Sequence, residues 1–281
     1  MKQFWNNAFI IARNVFAVIG VVFTFVYIGM QFGLFDVRGS IATRNASLGI
    51  TPEVTLLPSC PKGAMQCNWS DTVEWGVLRS AFQKDAPTID RVSKATGVTA
   101  RMIVAAAAPE QLRFFTDNRE SFKKYFEPLK ILSSLSKFSL GVSGIKQETA
   151  IRIEQYANDP TSDFYPGPGM SALIAYQPSD NHDQVLYDRL TDAHDHYYSY
   201  LYTALFIKEI ESQWSRAGFD ISDSAGTITT LFNIGFDESK PNATPQVAGA
   251  IITLGGTDYT FGQLGALFYE SNELTTAFPK Q

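Results

Sequence analysis

Glu110 closes an almost wholly apolar stretch that runs from Met102 through Ile103, Val104 and four alanines to Pro109. An apolar surround penalises a carboxylate and keeps a carboxyl protonated, which makes it a proton donor near neutral pH. Farther along, a glycine-punctuated loop, Gly141-Val142-Ser143-Gly144-Ile145, precedes Lys146-Gln147-Glu148-Thr149-Ala150. Its glycines let a ligand approach the backbone closely. A third segment, Leu231-Phe232-Asn233-Ile234-Gly235, offers an amide at Asn233 that could hold a sugar or that glycine loop. The plain alternative makes Glu110 a solvated residue at a helix break, Gly141 and Gly144 ordinary turn glycines, and Asn233 a helix cap.

Other residues carry less chemistry. His182, His194 and His196 lie near Asp192 and Asp195, but His194 and His196 are two apart on a predicted helix, about 200° around its axis, and do not face one another. No metal site is expected there, and no cofactor is implied anywhere. Tyr197, Tyr198, Tyr200, Tyr202 and Phe206 read as core and groove wall, and Lys123 and Lys124 as a solvated face. The glycine-rich nucleotide fingerprint, the phosphate-binding loop, the zinc-protease helix and the serine nucleophile elbow are all missing.

The three motifs, in this order, resemble the soluble lytic transglycosylase and goose-type lysozyme superfamily. In that family a hydrophobic helix ends in the catalytic Glu, a Gly-Leu-Met-Gln-Ile loop precedes a Thr-Ala helix start, and an Ala-Tyr-Asn-Ala-Gly segment follows. The resemblance covers roughly residues 71 to 236. It implies a lysozyme-like helical domain that binds peptidoglycan glycan strands. Glu110 would protonate the bridging oxygen of the MurNAc-GlcNAc bond and then act as base, while the muramyl 6-hydroxyl attacks the anomeric carbon. No second carboxylate is needed in that scheme, unlike most glycosidases. Substrate contacts would come from Gly141, Ser143, Gly144, Ile145, Thr149, Phe232 and Asn233. The chain departs from the pattern at Gln111, where the family has Ser, at Gly144, where it has a substrate-contacting Gln, and at Phe232, where it has Tyr. A second register takes Glu120, followed by Ser121, as the acid; it lacks the preceding apolar helix. A catalytically inactive glycan-binding or scaffolding protein of an envelope complex is the rival reading, with protein partners in that complex.

The elements that position these residues are mostly helical. Ser70 to Gln83 and Asp85 to Thr96 read as two helices, the second closed by Gly97. Thr99 caps a third, Ala100 to Ala108, which Pro109 breaks or kinks. Further helices are expected over 116–126, 146–156, 184–216 and from Ser222 or Asp223 into Asn233. Gly249 to Phe261 carries two β-prone runs across Gly255-Gly256, a hairpin signal, and a last helix runs from Gly262 to about Ser271. The expected fold is therefore mainly α, with a small β-hairpin near the C-terminus and one transmembrane helix in front.

That helix is read from Val15 to Phe35, 21 positions without a charge. At about 1.5 Å per residue it would span a hydrocarbon core. The expected organisation is a cytoplasmic N-terminus and single anchor over 1–36, a juxtamembrane stalk with a cysteine loop over 37–69, and the lysozyme-like domain over 70–281. The expected location is a bacterial cytoplasmic membrane with the catalytic domain outside. Cys60 and Cys67 are the only cysteines in the chain. In an oxidising compartment they would form a small staple, and elsewhere two free thiols. Of 281 residues 45% are hydrophobic and 18% charged, which excludes a disordered or coiled-coil protein. A formal charge of -5 argues against a nucleic-acid partner gripped over the whole surface.

Overall fold

A computed structural model describes residues 68–116, 139–140, 142–192 and 194–280, and Arg13 as a helical residue. The chain divides into two units, 1–42 and 43–281, and everything that follows concerns the second. The expected anchor at 15–35, the Cys60/Cys67 pair, Glu120, Gly141 and the helix over 116–126 lie outside the described residues. Among the described residues, no helix is long and apolar enough to cross a membrane.

The described residues form seven α-helices and two small antiparallel ladders. They are α1 (Val73–Thr96), α2 (Ala100–Thr116), β1 (Ser139–Leu140), β2 (Ile145–Lys146), α3 (Gln147–Asn158), α4 (His182–Thr191), α5 (Tyr197–Arg216), α6 (Ala225–Ile234), β3 (Ile251–Leu254), β4 (Thr257–Thr260) and α7 (Phe261–Glu270). The mainly helical expectation and the hairpin near the C-terminus both hold. The first ladder, with Leu140 opposite Ile145, closes around the glycine loop and was not expected from the sequence. The second pairs Ile252 with Tyr259 across Gly255-Gly256.

The helix that carries Glu110 lies at the centre. Helix α2 packs against α1, α5, α6, α7 and β3, and residues 102–108 are buried on every side. Pro109, expected to break or kink the helix, does not end it: it sits inside α2, which continues to Thr116. A mid-helix proline costs about 3 kcal/mol. Burying Met102, Ile103, Val104 and Leu112, at roughly 1.5–3 kcal/mol each, outweighs it. Pro87 is carried in the same way, so the two helices expected over 70–96 are one. Thr72 caps it by accepting from the Trp75 amide at 3.3 Å, and Gly97 ends it at φ +78°.

The long helix expected over 184–216 is instead two, α4 and α5. Asp192 Oδ1 accepts from the backbone amides of His194 (2.7 Å) and Asp195 (3.1 Å), and Asp195 Oδ1 accepts from that of Tyr197 (3.0 Å). These side-chain turns compete with the helical ladder and end it. His194 therefore lies in a turn, and His196 is freed to point at Asp85 of α1, with Nδ1 2.6 Å from Oδ2.

The C-terminal segment is bound to α2 through Arg101. Its Nε donates to Tyr269 O, its Nη1 to Glu273 O and Phe278 O, and its Nη2 to Phe268 O and Ser271 O, all within 2.6–3.0 Å. All five donors of a buried guanidinium are thus satisfied by backbone carbonyls. Helix α7 starts with a capping box between Thr260 and Gln263 and packs on α6 and α2.

Candidate functional site

Helix α2 delivers Glu110 into the interior, where 4% of the residue is exposed. Because the helix runs on past Pro109, Gln111 and Arg113 stand in fixed helical register with it. Arg113 Nη2 lies 2.6 Å from Glu110 Oε1, with little of either side chain exposed. The same carboxyl packs against Gly144. An ideal Cβ built there would meet Glu110 Oε1 at 2.4 Å and Cδ at 2.7 Å. Gly144 also has φ +63°, a left-handed conformation in which glycine carries no penalty.

The loop that presents Gly144 is tied down from two helices. The Gln111 side-chain amide donates to Val142 O from α2. From α5, Ser199 Oγ accepts from the Ser143 amide at 3.3 Å, and Ser143 Oγ donates to Ser199 O at 3.2 Å. Thr203 Oγ1 donates to the same carbonyl at 2.9 Å. Val142, Ser143 and Ile145 are buried, and Thr149 is half-buried in the first turn of α3. Glu110 and the 142–145 loop, far apart in sequence, thus form one structural unit.

The third motif is placed differently. Phe232 is buried on α6, its ring 5.1 Å from that of Phe206 and 6.4 Å from that of Phe261, so it builds core. Asn233 Oδ1 accepts from the Ala250 amide at 2.9 Å and packs against Gly249. Beside it, Thr230 Oγ1 accepts from the Ala248 amide at 3.0 Å. Asn233 thus fastens the 248–250 segment to α6, and α6 packs against α2.

Two carboxylates on α1 and α3 that take tyrosines of α5 were missed by the sequence reading. Glu154 of α3, largely buried, takes the hydroxyls of Tyr176 and Tyr202 on Oε1 and His182 Nε2 on Oε2 at 2.6 Å. Burial, reinforced by Glu154, pushes the Tyr176 hydroxyl up to about 12 and holds Tyr202 higher still. The Arg189 guanidinium stacks 4.2 Å from the Tyr176 ring and 4.5 Å from that of Tyr198. In the second cluster Asp85 Oδ2 takes both His196 and the Tyr200 hydroxyl (2.8 Å). His182 and His196 therefore serve different carboxylates, and among the described residues no group of three His, Cys, Asp or Glu could hold a metal.

Arg113 and Gln111 carried a signal in the sequence only if α2 was allowed to run through Pro109. Glu154 and Ser199 carried none, since their partners lie far along the chain. No known protein family, curated protein or solved structure matches this chain.

Proposed function

We propose that this protein is a membrane-anchored peptidoglycan-cleaving muramidase of the lytic transglycosylase type, with Glu110 as its acid and base. The observation that carries the reading is the contact between the buried Glu110 carboxyl and Gly144, which joins the apolar helix and the glycine loop in one site. In this reading Glu110 gives its proton to the bridging oxygen of a MurNAc-GlcNAc bond as the bond to the anomeric carbon breaks. The resulting carboxylate takes the proton of the muramyl 6-hydroxyl as that oxygen closes on the anomeric carbon. The products are a 1,6-anhydro end and a free hydroxyl end, and Glu110 is returned protonated. A buried carboxyl suits the first step because burial favours its neutral form. Residues 15–35 would hold the enzyme at the outer face of the cytoplasmic membrane.

A second reading is favoured by two specific features. Gly144 leaves no side chain to contact a sugar, and Arg113 occupies Glu110 Oε1. A lysozyme-like domain of this kind would bind glycan or envelope-complex proteins without cutting. Digestion of purified sacculi by the full-length chain and by Glu110→Gln, with products separated by mass, decides between them. Anhydro-muropeptides from the wild type alone support the transglycosylase, and reducing ends would mean hydrolysis. Sacculus binding by both proteins without release would support the scaffold.

A further inference from the structure

The proton cycle above begins from a protonated Glu110, whereas the structure places a guanidinium on that carboxyl. Arg113 Nη2 stands 2.6 Å from Oε1, and the side chains are 16% and 5% exposed. An ion pair so withdrawn from water is weakly screened and favours the ionised carboxyl. The proton cycle therefore needs the two side chains to move apart.

The surroundings give that movement one direction. Gly144 backs the carboxyl with main chain, and the loop behind it is tied to Gln111 and Ser199. Glu110 is thereby confined on its Gly144 side, and opening of the pair is assigned to the longer Arg113 side chain. Among the described residues, several other cations of the domain have partners of their own. Arg79 is with Glu273, Arg91 with Asp195, Arg101 with carbonyls of the C-terminal segment, Arg152 with Asp237, and Lys146 beside Glu148.

We propose that Arg113 is a positioning residue that holds the resting Glu110 as an anion against Gly144, and that this pair opens before the first proton transfer. The inference rests on the reading of Glu110 as the acid. It implies that glycan binding must displace Arg113 from Glu110.

The test uses the full-length chain labelled with 13C at glutamate carboxyls. The Glu110 resonance is identified by its loss in Glu110→Gln, and its titration is followed in wild type, Arg113→Gln and Arg113→Lys. Muropeptide release by the same proteins is recorded across pH. The expected result is a Glu110 midpoint about one to three pH units higher in Arg113→Gln, with Arg113→Lys near wild type and the alkaline limb of release moving with the midpoint. If the Gln variant does not fold, Arg113→Met keeps the aliphatic stem and removes the charge for the same titration. An unchanged midpoint overturns the inference and leaves catalysis by Glu110 standing. Release that persists in Glu110→Gln sinks the catalytic reading instead, while the titration still reports on Arg113.

Discussion

Gly144 and Glu110 touch main chain to carboxyl, at a separation that no other residue type could keep. A β-carbon at position 144 would lie 2.4 Å from Glu110 Oε1. Gly144→Ala should therefore lose activity for two reasons, the left-handed backbone at about 1–2 kcal/mol and the displaced carboxyl. Gly97→Ala is the matched control, because Gly97 has φ +78° and open space around it. We expect both variants to melt a few degrees lower, but only Gly144→Ala to lose glycan release by tenfold or more. Equal activities in the two would show that the contact with Glu110 has no catalytic weight.

Replacing Glu110 itself by Gln keeps size and burial while removing the transferable proton. General acid–base catalysis contributes about 10²- to 10⁴-fold, and release of anhydro-muropeptides should fall by that factor. Thermal midpoint and sacculus binding should stay near wild type. A variant that still releases products at the wild-type rate would rule Glu110 out as the acid.

Glu209, in the middle of α5, is fully buried, and among the described residues neither carboxyl oxygen has a hydrogen-bond partner. Burial pushes its pKa well above the ordinary carboxylate range, and burial likewise raises Glu211 to about 7. The folded chain thus keeps protons that the unfolded chain loses. Their contribution to stability is whole below the ordinary carboxyl pKa and is lost as pH rises, through about 7 for Glu211 and beyond for Glu209. Each group erodes stability by up to about 1.4 kcal/mol per pH unit in its window. Glu209→Leu should melt higher than wild type at about pH 8 and lose part of the decline between about pH 5 and 8. Parallel melting curves for the two proteins would contradict this.

Arg101 satisfies five carbonyls of the 268–278 segment with one side chain. Arg101→Met retains the stem and leaves buried acceptors without donors, at about 1–3 kcal/mol for each that finds no water. We expect a large drop in thermal midpoint and new protease cuts between residues 268 and 280, mapped by peptide mass. Arg101→Lys, with three donors for five acceptors, should fall between.

Glu154 gathers Tyr176, Tyr202 and His182 and so ties the 171–191 excursion to α5. Glu154→Ala removes the carboxylate to which the buried Tyr202 hydroxyl and the Tyr176 hydroxyl donate. Hydrogen exchange should quicken across 171–191 while α2 keeps its protection. Uniform quickening everywhere would mean that the cluster supports the whole domain and not this segment alone.

What the sequence disclosed was local in origin. The apolar run before Glu110, the glycine pair at 255–256 and the Gly97 terminator each act through their own neighbours, and the helices and hairpin they announce are present. Pro87 and Pro109 misled because burial of α1 and α2 outweighs a local penalty that the sequence states plainly. The split between α4 and α5 was written in Asp192 and Asp195, whose turn-forming side chains were overlooked against a strong apolar period. For the site, Glu110 and the 142–145 loop were legible as motifs. Their closure by Gln111, Ser199 and Arg113 was not, since it depends on which helices become neighbours. Asn233 was legible as a polar residue with work to do, and its work is to hold Ala250.

The carbonyls that satisfy Arg101 come from residues that follow every other described element in the chain. A ribosome that has produced α2, and even the 142–145 loop, has not yet made the acceptors without which a guanidinium cannot enter the core. The helix carrying Glu110 is therefore among the last parts able to settle, although it is among the first of the domain to be synthesised. On the proposed reading of Glu110, the acid would stay unassembled until the segment that holds Arg101 has been made.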